Sequence, residues 1–248
     1  DDLDAYASVD NAKELTLSCT AGERVVYALV NAPDYSAVPG KAALLAKVSE
    51  LSANDLDNFE MVGSKTVTLP QTGTVSIDVN RIASRVVLKK ITRNFTSAAL
   101  QALDFTVDAI YLVNVAGNTS YDLTAAPAAW YNVAENKGEL ASLLSDAPAA
   151  PIVNGQSYDT DHTFYGYPND LAVNTTRIVI ETTLGETKYY YPINLPEMAS
   201  NKSYEIEEVK ITRPGSDNPD EPVSFEDASF SINVIDWTVV PVTEGTTI

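Results

Sequence analysis

Few residues in this 248-residue chain are equipped for chemistry, because it holds a single histidine and a single cysteine. His162 ends the run Asp159-Thr160-Asp161-His162. Any Ser-His-Asp or Cys-His site would have to use it, yet no serine sits in the Gly-x-Ser-x-Gly turn that presents a nucleophile above a sheet. Asp161 could orient the imidazole, or with Asp159 hold a divalent ion, but one such cluster in a polar turn reads as an exposed loop histidine among solvating acids. Cys19 alternates with Leu15 and Leu17, which predicts a buried structural thiol in place of a nucleophile. One thiol forms no internal disulfide. Zinc fingers, His-rich zinc sites and iron–sulfur clusters all need more ligands than are present. Carboxylates are abundant, with 34 Asp and Glu, so no pair stands out as the acid and nucleophile of a glycosidase. Asp55, Asp57 and Glu60 lack the spacing and central glycine of a calcium loop. No glycine-rich phosphate loop occurs among the 11 scattered glycines. No catalytic, cofactor-binding or metal-ligating residue is assigned.

Against 34 acids stand 16 Lys and Arg, a formal charge of −18. A chain so acidic is repelled by nucleic-acid phosphates and anionic lipid headgroups, and neither is expected as a partner. No apolar run approaches the roughly 20 residues of a membrane helix, so no membrane insertion of the mature chain is expected. Asp1-Asp2-Leu3-Asp4 is acidic where a secretory signal is basic, so the sequence reads either as a cytoplasmic protein or as a processed or trimmed chain, and composition favours the second. Thirteen Tyr, thirteen Pro and many Thr, Asn and Val suit an extracellular β-protein, and the want of disulfides points to a bacterial surface.

The elements that must position these residues are mostly strands. Residues 14–19, 66–69, 74–79, 105–108 and 110–115 alternate apolar and polar positions, while Arg24-Val25-Val26-Tyr27-Ala28-Leu29-Val30 is a fuller apolar run suited to a strand covered on both faces. Residues 163–167 and 204–211 continue the pattern, and 176–182 with 187–193 read as a hairpin joined by Leu184-Gly185-Glu186. Helical period is confined to 42–56, where Leu44, Leu45, Val48 and Leu51 recur, and to the shorter 139–144. The fold class is therefore all-β with one or two short helices. The aperiodic Pro/Ala-rich stretch at 145–157 predicts a boundary between domains at 1–150 and 151–248.

The C-terminal part is the more unusual feature. Residues 213–222 hold three prolines and three acids, and Pro214, Gly215, Pro219 and Pro222 make this an exposed hinge. Beyond it, in the tail 224–248, Phe230, Ile232 and Val234 share one face of an extended segment, while Ile235, Trp237 and Val239 share the other. The phase slip between Val234 and Ile235 suggests a bulge, a bend, or two pieces packed in different places. Such a segment is either the closing edge strand of its own domain or a strand donated to another subunit.

Taken in order, these segments resemble the fimbrillins, the major fimbrial subunits of the type V pili of Bacteroidales. Val26-Tyr27-Ala28-Leu29-Val30-Asn31-Ala32 is similar to the family's early strand, Phe59-Glu60-Met61-Val62-Gly63-Ser64 to its Phe-x-Met-x-Gly turn, and Arg85-Val86-Val87-Leu88 to its Arg-Val-x-Leu strand. Phe164-Tyr165-Gly166-Tyr167-Pro168-Asn169 and Tyr190-Tyr191-Pro192-Ile193 resemble motifs of its second domain. The most specific likeness runs from Asn201-Lys202-Ser203-Tyr204 to Ile211-Thr212-Arg213-Pro214-Gly215-Ser216-Asp217-Asn218-Pro219, with Trp237 where the family has its C-terminal Trp. The resemblance implies two transthyretin-like β-sandwich domains in tandem, export as a lipoprotein precursor, and trimming by an Arg- or Lys-specific surface protease. It further implies a non-enzymatic stalk pilin of an adhesive fimbrium at the cell surface and outer membrane. Its partners would be other copies of itself, related pilins, and host or bacterial surface receptors. The donor strand would include Phe230, Ile232, Val234, Ile235, Trp237 and Val239, filling a neighbour's apolar groove. A surface glycan-binding β-sandwich, with Tyr and Trp rings such as Trp130 and Tyr189 as stacking platforms, is the alternative.

Overall fold

Alternation of apolar and polar residues sends every second side chain of a strand to one face, while the apolar runs of Ser84–Arg93 and Arg177–Leu184 are buried over most of their length. A computed structural model describes residues 20–35, 37–70, 75–133, 137–170, 174–221 and 227–237. The first half of the chain forms β1 (Gly22–Val30), α1 (Lys41–Leu45), β2 (Val48–Glu50), β3 (Met61–Leu69), β4 (Asn80–Arg81), β5 (Ser84–Arg93), α2 (Ala98–Gln101), β6 (Phe105–Val113), β7 (Val115–Ala116) and β8 (Asn118–Ser120). The second half forms β9 (Trp130–Tyr131), α3 (Ala141–Leu144), β10 (Ser145–Asp146), β11 (Ala150–Pro151), β12 (Ser157–Gly166), β13 (Arg177–Leu184), β14 (Thr187–Asn194), β15 (Lys202–Ile211) and β16 (Ala228–Asp236). The fold is mostly β with short helices, as the pattern predicts.

Two sheets enclose the main core. One has the order β12-β5-β15-β16, in which β5 and β15 run parallel and the outer pairs antiparallel. The other sets β6 between the short β10 and β11 on one side and β13 on the other, with β14 beyond. Val86, Leu88 and Ile91 of β5 and Tyr204, Ile206 and Val209 of β15 share one buried cluster with residues of β6 and β13, including Ile110, Leu112, Ile178 and Ile180. The hairpin of β13 and β14 turns at Gly185, whose φ of +62° is open to glycine without strain. A third sheet, β1-β3-β4, is N-terminal, and its Leu29 and Val62 pack against the same cluster.

Four expectations change. Strands from before and after residue 150 share both main sheets, so the division at 150/151 does not separate them. The Pro/Ala-rich stretch lies along β6 as two short edge pieces, with Pro151 where a missing N–H is tolerated. The helix expected over 42–56 ends at Leu45: Val48–Glu50 pairs with β8, and a 3-10 turn at Leu51–Ala53 follows. A short helix is marginal, and an available strand partner outcompetes it. Leu44 and Leu51 are buried nonetheless. β1 is half-buried along most of its length instead of covered on both faces. Residues 75–79 form no strand.

Charges decorate and penetrate this frame. On β5, Lys89 donates to Glu205 at 2.8 Å and Glu207 at 2.7 Å, and these bonds hold the ammonium above its ordinary value and the Glu205 carboxyl below it. Glu181 of β13 is buried with its carboxylate held by Lys137 and Lys188. Burial alone would raise that carboxyl, but the two lysine bonds outweigh it and hold the group below its ordinary value. A carboxyl depressed by folding stabilises fully above its unfolded value of about 4.3, and that contribution is lost as pH falls through the lower folded value. Lys188→Met is therefore expected to lower stability at pH 7 by about 1–2 kcal/mol, the lysine's exposure moderating the effect. In denaturation measured across pH, the gap to the parent should close as the medium is acidified below about pH 4.

Candidate assembly surface

The site expected from the tail is built around the end of β16. Among the described residues this strand is the edge of its sheet, antiparallel to β15, with Lys202 opposite Asp236 and Ile211 opposite Ala228. Phe230 and Ile232 are half-buried and pack on the core, whereas Val234 and Ile235 are 48% and 47% exposed. The register runs unbroken through Val234 and Ile235, so the expected slip there is absent. The irregularity lies in the partner, between Ile206 and Val209 of β15. Trp237 follows the strand and is buried, 7% exposed. Val239 and Pro222 lie outside the described residues.

Trp237 sits in an aromatic and cationic socket. Its ring meets Phe59 edge-on at 5.4 Å and Tyr165 at 5.7 Å, and those two rings touch each other at 4.6 Å. The guanidiniums of Arg81 and Arg85 lie 4.3 and 5.5 Å from the indole centroid, a cation–π arrangement worth ~0.5–2 kcal/mol per contact according to desolvation. Burial first, and the neighbouring Arg85 charge second, lower the Arg81 guanidinium from its ordinary value. Tyr165 stands opposite Arg85, and Arg85 opposite Ser203, so β12, β5 and β15 present one row beneath the indole. Arg85 Nε donates to Ser203 Oγ at 2.8 Å, which fixes the guanidinium.

Each wall of the socket is tied down from elsewhere. The Trp237 N–H donates to the Asn201 carbonyl at 2.9 Å. Asn201, at a left-handed φ of +56° that asparagine tolerates, donates from its N–H to the Ala83 carbonyl at 3.0 Å and from Nδ2 to Asn80 Oδ1 at 3.0 Å. Phe59 is held by Asn31, whose Nδ2 donates to its carbonyl at 3.1 Å. The next residue, Glu60, donates its N–H to Asn54 Oδ1 at 2.7 Å and accepts the Tyr121 hydroxyl. Asn54 in turn donates to the Tyr167 hydroxyl at 2.8 Å. The last described residue of the tail, Trp237, thus sits where the N-terminal sheet meets the sheet of β12, β5, β15 and β16.

The expected exposed hinge is half-buried and pinned instead. Ser216 exchanges two backbone hydrogen bonds with Tyr190, at 2.8 and 3.0 Å, and the Tyr191 hydroxyl donates to the Arg213 carbonyl at 2.8 Å. Arg177 pairs with Asp220, Pro219 is buried, and Pro214 is half-buried. Prolines stop regular structure, but they leave carbonyls free to accept, and β14 uses them. A Cβ at Gly215 would stand 2.2 Å from the Tyr190 carbonyl oxygen. Gly215→Ala is expected to push this segment off β14 and destabilise by about 1–3 kcal/mol. Tyr191→Phe should cost about 1–2 kcal/mol through the orphaned carbonyl. Thermal denaturation of both variants checks this.

The remaining chemical candidates dissolve into the fold. His162 is buried, not exposed: β12 shifts register between Asp159 and His162, and the imidazole stands 2.8 Å from Asp146 of β10 and against the Tyr158 ring. Asp159 and Asp161 stay exposed. Among the described residues no three His, Cys, Asp or Glu side chains gather as a metal site would require. Cys19, Leu15 and Leu17 lie outside them. Trp130 and Tyr189 pack partly buried against the core. No described helix is long and apolar enough to cross a membrane.

No family model matches the chain. In sequence it is 25% identical over 256 aligned residues to the major fimbrium subunit FimC of Porphyromonas gingivalis, a match covering 96% of this chain and 53% of that protein. The chain therefore spans about half the length of the curated relatives it matches. Among solved structures it superposes on a candidate cell adhesion protein of Bacteroides eggerthii with a TM-score of 0.70 at 20% identity, covering 90% of this chain and 80% of that one. A fimbrilin, FimA, of Porphyromonas gingivalis superposes with a TM-score of 0.61 at 14% identity, covering 90% and 83%. At those identities the structural likeness is one of fold. Motif order, sequence similarity and fold agree, and the chain is a relative of the fimbrillins and fimbrium subunits of Bacteroidales.

Proposed function

We propose that this chain is a structural subunit of a surface fimbrium and polymerises head-to-tail by lending its C-terminal segment to the N-terminal sheet of the next copy. One observation carries the reading: the long edge of β1. Among the described residues β1 pairs with β3 alone, all nine residues in register, and its other side ends the sheet. Its apolar run from Val25 to Val30 is only half-buried, and Val25 is 47% exposed. A sheet edge beside apolar side chains is a template for an added strand.

The C-terminal tail, which carries Phe230, Ile232, Val234, Ile235, Trp237 and Val239, includes the apolar extended stretch that such an edge accepts. Pro214, Gly215 and Pro219 carry the chain from β15 along β14 before the tail begins. In this reading the N-terminal sheet and the sandwich are the two transthyretin-like units, with their division before β5. A contact between two different surfaces of one chain does not close on itself, so it builds a filament. Durability would come from slow release, because a whole strand must leave together. The charge of −18 keeps unassembled copies apart. The role is non-catalytic, the partners are further copies and related pilins, and the place is the cell surface at the outer membrane. The fimbrium subunit and fimbrilin among its relatives support this reading.

Deletion of residues 238–248 tests it while leaving β16 and Trp237 in place. The truncated chain should keep its far-UV circular dichroism and its thermal midpoint within a few degrees, yet form neither heat-sensitive ladders on gels nor filaments in electron micrographs. Ladders that persist would overturn strand donation.

A further inference from the structure

Resting on the pilin reading above, the Trp237 socket says where the lent segment begins. Phe59 and Arg81 reach it from the N-terminal sheet and its approach, while Tyr165, Arg85 and the Asn201 carbonyl come from the sandwich. Phe230, Ile232 and Ala228 are meanwhile part of the home core, and Lys202 pairs with Asp236 across the last rung of β16. Lifting residues 228–237 would open that core, unpair β15 and empty a socket shared by both units. We infer that Trp237 is a fixed anchor that divides the tail: β16 and Trp237 stay with their own subunit, and only residues after 237 pair with another copy.

The anchor has a second consequence within a filament. A segment held by a neighbour beyond Trp237 pulls on an indole that touches Phe59 and Arg81 from the N-terminal sheet and its approach, and Tyr165 and Arg85 from the sheet of β12 and β5. Load from the next subunit therefore passes into both units of this one at a single residue. Trp237 is a positioning residue: it fixes the origin and heading of whatever leaves.

A reversible staple tests this in the full chain. Residues 202 and 236 are register partners whose side chains already meet. Antiparallel partners stand about 4.5–5.5 Å apart at Cα, within the span of a disulfide. Lys202→Cys with Asp236→Cys, in a Cys19→Ser background, can lock the end of β16 to β15. The oxidised chain is expected to polymerise within about twofold of the same chain after reduction. Failure when oxidised, with polymerisation restored by reduction, would show that β16 itself must leave and would overturn the anchor.

A second readout is independent of assembly. With Trp130→Phe, Trp237 is the only tryptophan, since the chain has two. Its emission should be blue-shifted and its acrylamide quenching several-fold weaker than that of free indole in the monomer, and unchanged on polymerisation. An open, readily quenched tryptophan in either state would sink the proposal. If the reduced chain does not polymerise at all, the pilin reading fails, and monomer quenching still decides the anchor.

Discussion

Everything in the sandwich hangs on the parallel pairing of β5 with β15. Arg85 and Ser203 face each other across that pair and are 118 positions apart in the chain. β12 and β16 can join the sheet only by flanking those two strands, and their buried sides supply much of the core. The Trp237 socket is a product of the same register, because Asn201 immediately precedes β15 and Arg85 sits near the start of β5. A parallel pair needs a long crossover, and here the crossover contains nearly all of the opposing sheet. Neither sheet can therefore be assembled without the other.

The N-terminal sheet is attached by polar groups more than by area. Burial, with the Glu60 hydrogen bond next, drives the Tyr121 hydroxyl far above its ordinary value, so at neutral pH it remains a donor to the Glu60 carboxylate. Ser49 and Asn54 both meet the Tyr167 hydroxyl, itself raised chiefly by burial. Buried networks of this kind specify one arrangement, because any other leaves polar groups without partners. They set the angle at which Phe59 enters the socket. A joint made this way resists sliding.

Local periodicity made some strands legible: β6 and β15 carry alternation that can be counted in the sequence, while β13 and β14 are apolar or aromatic runs betrayed by the turn at Gly185 between them. What alternation cannot reveal is which strand lies beside which. The boundary expected at 150 misread an edge piece as a linker, because low periodicity looks the same in both. His162 looked solvated because its neighbours are acids, and a register shift in β12 was enough to turn it inward. Residues 213–222 looked free because prolines forbid regular structure, although carbonyls and Gly215 still bond and pack. Trp237 stood out as a residue, but its walls at 59, 81, 85, 165 and 201 are gathered only by tertiary structure.

The separation of β5 from β15 also governs the order of events during synthesis. At roughly 5–20 residues per second a ribosome needs about 6–24 s to make the chain from Arg85 to Ser203. Throughout that interval a strand rich in valine, leucine and isoleucine has emerged without its central neighbour. One edge of β5 accordingly waits uncovered for its parallel neighbour for as long as translation continues through the crossover.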